Sequence, residues 1–306
     1  MAPNNEHPTG ERNSRRCDQP LSRPVPLRIS VTNEHRPWAV LLAGDDGVPL
    51  RSLTAKITRD SLPKQFCPLL VENESLLHHT YERIWHVFSE DHTVFVVTQA
   101  HQRWRPQDLQ QTPMPDIIVQ PRDRGTGVAM TLALLQVLTR DANAIVAFFP
   151  CDHVYSDEIA FAETIKFGLA VAEEHPDCIT LLGAEASSPD VEYGWIELGP
   201  LMPNTCNRHL MRVNRFWEKP PALKAAELFQ RGCLWNMFVT IGFADTFLEL
   251  LCSQIPNVVA SLSQNLAAYE DIRSVDFCRD VMANEPHRVL VIQDAPGRTD
   301  WKIPGG

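Results

Sequence analysis

The chain has 306 residues and a mass of 34.6 kDa, 44% of them hydrophobic and 22% charged, enough to bury one large α/β core or two small ones. Its net charge of -10 repels phosphate backbones and anionic bilayers, which excludes general nucleic-acid binding and leaves any phosphate to a local site or a metal. No apolar run approaches the roughly 18 residues of a membrane-spanning helix.

The first segment, 1–36, carries five prolines, few large apolar residues and six arginines against four acidic residues. That composition cannot offset the entropy of ordering, so 1–36 reads as a disordered tail before a domain at 37–306. Within the tail, 27–31 is a candidate edge strand. No apolar leader region opens the chain, so a signal peptide is not expected. The 8 cysteines form no CxxC motif and no Cys/His cluster, which predicts separate thiols in a reducing cytoplasm and no zinc site.

From Pro37 the pattern is strand, loop, helix, repeated. Apolar runs at 38–42, 93–98, 116–120, 144–150 and 178–183 read as buried strands. Residues 74–88, 125–139 and 157–174 have helical spacing. Continuous apolar strands alternating with helices predict a Rossmann-like α/β fold: a mixed, mainly parallel sheet with helices on both faces. Ligands of such sheets sit beyond the carboxyl ends of the strands, so the loops there carry the chemistry. A segment at 193–236 is expected to form a smaller lobe. Helices after Asp245 and a strand at 288–292 complete the domain.

Ala43-Gly44-Asp45-Asp46-Gly47 follows the first strand. Its small residues suit either a backbone cradle for phosphate or a plain turn. Two adjacent carboxylates argue against the cradle unless a cation offsets them or they point away. Lys64, in Pro63-Lys64-Gln65-Phe66, is a point charge for a phosphate or a solvated surface lysine. Gln120-Pro121-Arg122-Asp123-Arg124-Gly125-Thr126-Gly127 joins a strand to a helix. It reads as a helix start that admits an anion or a base edge, or as a capped terminus with Thr126 serving the turn. Asp152, in Pro150-Cys151-Asp152-His153, is placed either to hold Mg²⁺ or to cap the helix at 157–174.

Taken in order, these motifs resemble the sugar-1-phosphate nucleotidylyltransferase family, and within it the mannose-1-phosphate guanylyltransferase branch. Further matches are Glu192-Tyr193-Gly194-Trp195-Ile196, Phe216-Trp217-Glu218-Lys219-Pro220 and Leu234-Trp235-Asn236. The resemblance runs from Pro37 to the end of the chain. It implies a nucleotide-diphospho-sugar transferase fold and the joining of GTP to mannose 1-phosphate, or another hexose 1-phosphate, with release of pyrophosphate. By resemblance, Ala43, Gly44 and Gly47 wrap the triphosphate, while Gln120 and Gly125 face the base. Gly194, Glu218 and Asn236 hold the sugar, and Lys219 holds its phosphate. Lys64, Asp152 and Lys219 form the catalytic set, with Asp152 and Asp300 as ligands of a Mg²⁺ cofactor. Partners are these small substrates, with no nucleic acid and no membrane; the oligomeric state stays open, a homo-oligomer among the options.

The chain departs from the family pattern in the first loop. Asp45 takes a glycine position, and Pro49 stands where an arginine is usual, with Arg51 displaced from it. Lys302 replaces a glycine after Asp300. The chain is also expected to lack the β-helical or cupin-like C-terminal domain of some relatives. The departures motivate a second reading, a catalytically impaired homologue that binds a nucleotide sugar or a partner and regulates it. A third, a dinucleotide-binding oxidoreductase, lacks a full GxGxxG and leaves the later motifs unexplained.

Overall fold

The computed structural model describes residues 36–45, 63–66, 75–104, 116–155, 157–203, 209–264, 266–293 and 298–299. The expected tail, apart from Arg36, lies outside the described residues, as does the 27–31 strand. So do Asp46, Gly47, Pro49, Arg51, Asp300 and Lys302.

The first strand, β1 (Trp38–Leu42), shows why the sheet is covered twice. Trp38 and Val40 face one core, Ala39 and Leu41 the other, so successive side chains are all apolar. The same holds for 94–97 of β2 (Thr93–Thr98) and for β4 (Ile145–Pro150), and β3 (Asp116–Gln120) pairs with β2. A short pair partner, β5 (Val154–Tyr155), follows β4. The remaining strands are β6 (Ile179–Glu185), β7 (Trp195–Leu201), β8 (His209–Trp217), β9 (Leu234–Phe243), β10 (Val289–Gln293) and β11 (Arg298–Thr299).

Nine of them form one sheet in the order β3-β2-β1-β4-β9-β6-β10-β8-β7. Strands β3, β2, β1 and β4 are parallel neighbours, as are β6 and β10. Strand β9 runs against β4 and β6, and β8 against β10 and β7. The predicted mixed, mainly parallel sheet is therefore present, with β8 and β9 reversed.

One face is covered by α2 (Thr126–Arg140), α5 (Ala244–Gln254), α6 (Pro256–Gln264) and the one-turn α7 (Phe277–Asp280). The other is covered by α1 (Leu76–Ile84) and α3 (Glu158–Glu174). Helix α1 is shorter than the predicted 74–88, because Ser75 caps it through His78 N and the helical pairing ends at Trp85.

The 193–236 segment is not a separate sheet. Strands β7 and β8 extend the main sheet through β10, and α4 (Ala222–Gln230) packs a small cluster of Trp195, Ala225, Leu228 and Trp235 over it. The 288–292 strand forms as β10, and it lies inside the sheet between β6 and β8.

Strand β9 changes neighbours along its length. Leu234 and Trp235 pair with β7, while Thr240 to Phe243 pair with β4. Between them Phe238 has φ 59°, a left-handed conformation rare for a bulky residue. Strand β4 ends level with this residue, and β7 takes up the pairing beyond it.

Candidate functional site

Beyond β1, Ala43 continues the ladder by donating to the Val96 carbonyl at 2.9 Å. The Ala43 carbonyl then accepts from Gln65 Nε2 at 3.0 Å and lies 3.3 Å from His101 Nδ1. A carbonyl only accepts, so that contact places the hydrogen on Nδ1 of His101. Gln65 also donates to the Asp45 carbonyl at 2.7 Å. In a trans peptide N–H and C=O point oppositely, so the Gly44 N–H faces away from Gln65 and His101. The loop start is thus held by its carbonyls, leaving an amide on its other side.

Gln120, at the end of β3, sits beside Gly44: a β-carbon on Gly44 would lie 3.0 Å from the Gln120 side-chain amide. Gly44 and Gln120, expected at the triphosphate and at the base, are thus neighbours. Gln120 is 1% exposed, and its Oε1 lies 2.8 Å from the hydroxyl of Tyr269, itself fully buried. That hydroxyl is also 2.9 Å from the Arg122 carbonyl oxygen. Burial, with Asp123 nearby, pushes the Tyr269 phenol well above its ordinary range, so it keeps its hydrogen at any working pH. Thr98, paired in register with Gln120, has a buried hydroxyl with no hydrogen-bond partner among the described residues.

The loop after β3 is clasped by residues 274–277. Gly125 precedes α2 with φ 83°, and Asp123 Oδ1 accepts from its N–H at 2.7 Å. Val275 donates to the Arg124 carbonyl and accepts from Gly127 N–H, both at 2.9 Å. Thr126 does not cap the helix; its Oγ1 accepts from Phe277 N–H at 2.9 Å. Arg122 pairs with Glu270, and Arg124 donates to the Glu270 carbonyl.

The same 274–278 segment reaches the sugar-type residues. Gly194, Glu218 and Asn236 converge: a β-carbon on Gly194 would stand 2.7 Å from Phe216 Cζ, 2.9 Å from Glu218 Oε2 and 3.3 Å from Asn236 Cβ. Asn236 donates its backbone N–H to Gly194 O at 2.8 Å, and its Oδ1 accepts from Phe238 N–H at 3.0 Å, bracing the left-handed turn in β9. Its Nδ2 donates to Cys278 Sγ at 3.4 Å. Ligand atoms of Glu218, Asp276 and Cys278 all lie within 4.8 Å of one another. Burial, then repulsion from Asp276, pushes the Glu218 carboxyl up to about 7, with Lys219 and Arg279 pulling the other way. Burial also pushes the Cys278 thiol far up, so it is a neutral wall of the site. Lys219 follows in the left-handed region, φ 44°.

Asp152 lies past the end of β4 and is not the cap of the next helix. Asp157 takes that role, accepting from Ala160 N–H at 2.8 Å. Asp152 Oδ1 lies 3.6 Å from His153 Nε2. Arg83 of α1, almost wholly buried, donates to the His153 carbonyl at 3.3 Å and stacks 4.7 Å over the Tyr155 ring, which orients this turn. Strand β11 pairs with β5, Thr299 opposite Val154, so the chain returns beside the Asp152 turn just before Asp300. A carboxylate in that turn is a hard oxygen donor of the kind Mg²⁺ accepts. Asp300, Gly47 and the Lys64 side chain lie outside the described residues; Lys64 itself opens a one-turn 3-10 helix, Lys64–Phe66.

Residues 38–268 match the family model for nucleotidyl transferases. The chain belongs to that family. It is 29% identical over 254 residues to the xanthan biosynthesis protein XanB of Xanthomonas campestris, covering 81% of this chain and 51% of that protein. It is 29% identical over 246 residues to a mannose-1-phosphate guanylyltransferase of Salmonella montevideo, covering 78% and 49%. The chain thus spans about half the length of the curated relatives it matches. A solved structure named mannose-1-phosphate geranyltransferase, from Thermus thermophilus, superposes with a TM-score of 0.74 at 26% identity, covering 87% of this chain and 76% of that one.

In this nucleotidyl transferase the sequence motifs bring Gly44 beside Gln120, and Gly194 beside Glu218 and Asn236. Sequence reasoning misses Gln65, His101, Tyr269, Asp276 and Cys278 as site residues. Gln65 lies inside a quoted motif, next to Lys64. Tyr269, Asp276 and Cys278 come from a segment with no strand or long helix, brought here by the clasp on Gly125 to Gly127 and by the packing of Tyr269, Val275 and Phe277 in the core.

Proposed function

We propose that this nucleotidyl transferase joins GTP to mannose 1-phosphate, or a related hexose 1-phosphate, and releases pyrophosphate. The observation that carries the reading is the convergence of Gly194, Glu218 and Asn236 on one point. A half-buried carboxyl and an amide there offer the donors and acceptors that sugar hydroxyls need.

In the reaction an oxygen of the sugar phosphate forms a bond to the α-phosphorus, and the bond from that phosphorus to the bridging oxygen of the β-phosphate breaks. The nucleophile is already an anion, so no strong general base is required, and catalysis is positioning and charge stabilisation. Gly44, with its N–H turned away from Gln65, approaches the triphosphate together with Ala43 and Gly47. Gln120 and Gly125 meet the base. By the family resemblance Lys64 would hold charge on the α-phosphate, and Lys219 would hold the sugar phosphate. Asp152 and Asp300 would hold Mg²⁺, whose charge, when bound, neutralises phosphate oxygens.

Asp45 favours a second reading. It places an exposed carboxylate in the triphosphate loop, which suits a homologue that binds a nucleotide sugar without making one. One experiment separates the two: pyrophosphate release with Mg²⁺, each of the four nucleoside triphosphates and a panel of hexose 1-phosphates. Release with GTP and mannose 1-phosphate, abolished in Asp152→Ala while the protein stays folded, is the expected result. Binding of a nucleotide sugar with no release from any pair would replace the transferase with the regulatory homologue.

A further inference from the structure

The Tyr269 hydroxyl touches two oxygens, Gln120 Oε1 at 2.8 Å and the Arg122 carbonyl at 2.9 Å. A phenol has one hydrogen and a backbone carbonyl can only accept, so the two contacts cannot both be full donations from Tyr269. Donation to Gln120 would leave two acceptor oxygens 2.9 Å apart in a buried place with no hydrogen between them. The arrangement that pairs all three groups has Tyr269 donating to Arg122 and accepting from the Gln120 amide nitrogen. The nitrogen and oxygen of a glutamine amide are interchangeable by a half-turn at almost no change of shape. That half-turn leaves the oxygen facing Gly44.

We infer that Tyr269 is a positioning residue for base selection: it holds the Gln120 amide so that an acceptor oxygen faces the nucleotide, selecting bases with a ring N–H on their pairing edge. Guanine, uracil and thymine carry that N–H; adenine and cytosine carry a bare ring nitrogen there, whose lone pair would meet the amide oxygen. This rests on the proposed assignment of Gln120 to the base. Tyr269 lies a few residues before Val275 and Phe277, which clasp the start of α2. Its ring is fully buried, and Tyr269→Phe removes the hydroxyl while keeping the packing.

Two measurements on the full chain test it. With selectively ¹⁵N-labelled glutamine, the Gln120 side-chain NH₂ signal, assigned by its loss in Gln120→Leu, is expected to show slowed proton exchange. Tyr269→Phe should abolish that protection. An unchanged Gln120 signal in Tyr269→Phe overturns the amide orientation. In titrations with GTP, UTP, ATP and CTP, the wild type should prefer GTP or UTP. Tyr269→Phe frees the amide to turn, so the preference for GTP over ATP should shrink about tenfold, the worth of one hydrogen bond. A purely structural role would weaken all four equally, and that result, or a wild-type preference for ATP or CTP, overturns the selection. Loss of NH₂ protection in the variant with no nucleotide bound by the wild type would instead remove the base-binding assignment of Gln120 and the selection built on it.

Discussion

The α-carbon of Gly125 lies against the carbonyl of Val275, so closely that a β-carbon would stand 2.4 Å from that oxygen. The partner is backbone, and the φ of 83° with ψ of 168° is a region that only glycine adopts readily. Gly125→Ala should therefore open the clasp and destabilise the protein by about 3 kcal/mol, combining backbone strain with steric displacement. Urea unfolding measures it. The clasp also carries Asp276 and Cys278 to Glu218, so hexose 1-phosphate affinity should fall as well. Unfolding unchanged within ~0.5 kcal/mol would show that the 274–277 segment is not held as described.

Lys219 separates stability from function. Its φ of 44° strains a non-glycine residue, by roughly 1–2 kcal/mol in the left-handed region. Glycine relieves that strain but loses more entropy on folding, about 0.5–1 kcal/mol. Lys219→Gly should keep the unfolding free energy near or slightly above that of wild type while sugar-phosphate turnover collapses. Lys219→Ala, which keeps the strain, should lose the same activity with no gain in stability. Equal activity in wild type and both variants would remove Lys219 from the phosphate site.

Strands β1, β2 and β4 were readable because they are buried on both faces, so apolar residues run unbroken through β1, 94–97 of β2, and β4. The role of Asp152 was not, since a carboxylate after a strand suits a cap as well as a metal. The helix start at Asp157, whose carboxylate accepts from Ala160 N–H, removes only the capping alternative. The change of partners in β9 was equally hidden. It depends on Phe238 taking a left-handed conformation that its side chain disfavours, and Asn236 provides the brace through Phe238 N–H. Asp276 and Cys278 were illegible because they reach Glu218 through tertiary contacts with the start of α2, and no local period announces them.

Gly194 tests the convergence itself. A methyl there meets Phe216, the Glu218 carboxylate and Asn236 together. The Glu218 oxygen sits at the end of a rotatable side chain and can move, but the Phe216 ring is buried. Gly194→Ala should cost about 1–3 kcal/mol of stability and displace Glu218, raising KM for the hexose 1-phosphate more than KM for the triphosphate. Equal effects on both substrates would mean that the three residues hold the fold and not the sugar.

Glu218 should produce two opposite pH dependences from one carboxyl. In the native protein burial and Asp276 hold its pKa up to about 7, against an ordinary value of 4.5. Between those values the folded state binds more protons than the unfolded one, so the stabilisation is full below about 4.5 and is lost as pH rises through 7. Glu218→Gln is neutral throughout and should gain melting temperature relative to wild type on moving from pH 5 to pH 8. Sugar binding should run the other way. The carboxylate accepts from sugar hydroxyls better than the carboxylic acid does, so wild-type KM for the hexose 1-phosphate should fall as pH rises through 7. The sugar phosphate itself titrates near there, but it does so equally in Glu218→Gln, and the difference between the two profiles isolates the side chain. A difference that stays flat between pH 6 and 8 would place the Glu218 carboxyl outside sugar recognition, whatever its effect on stability.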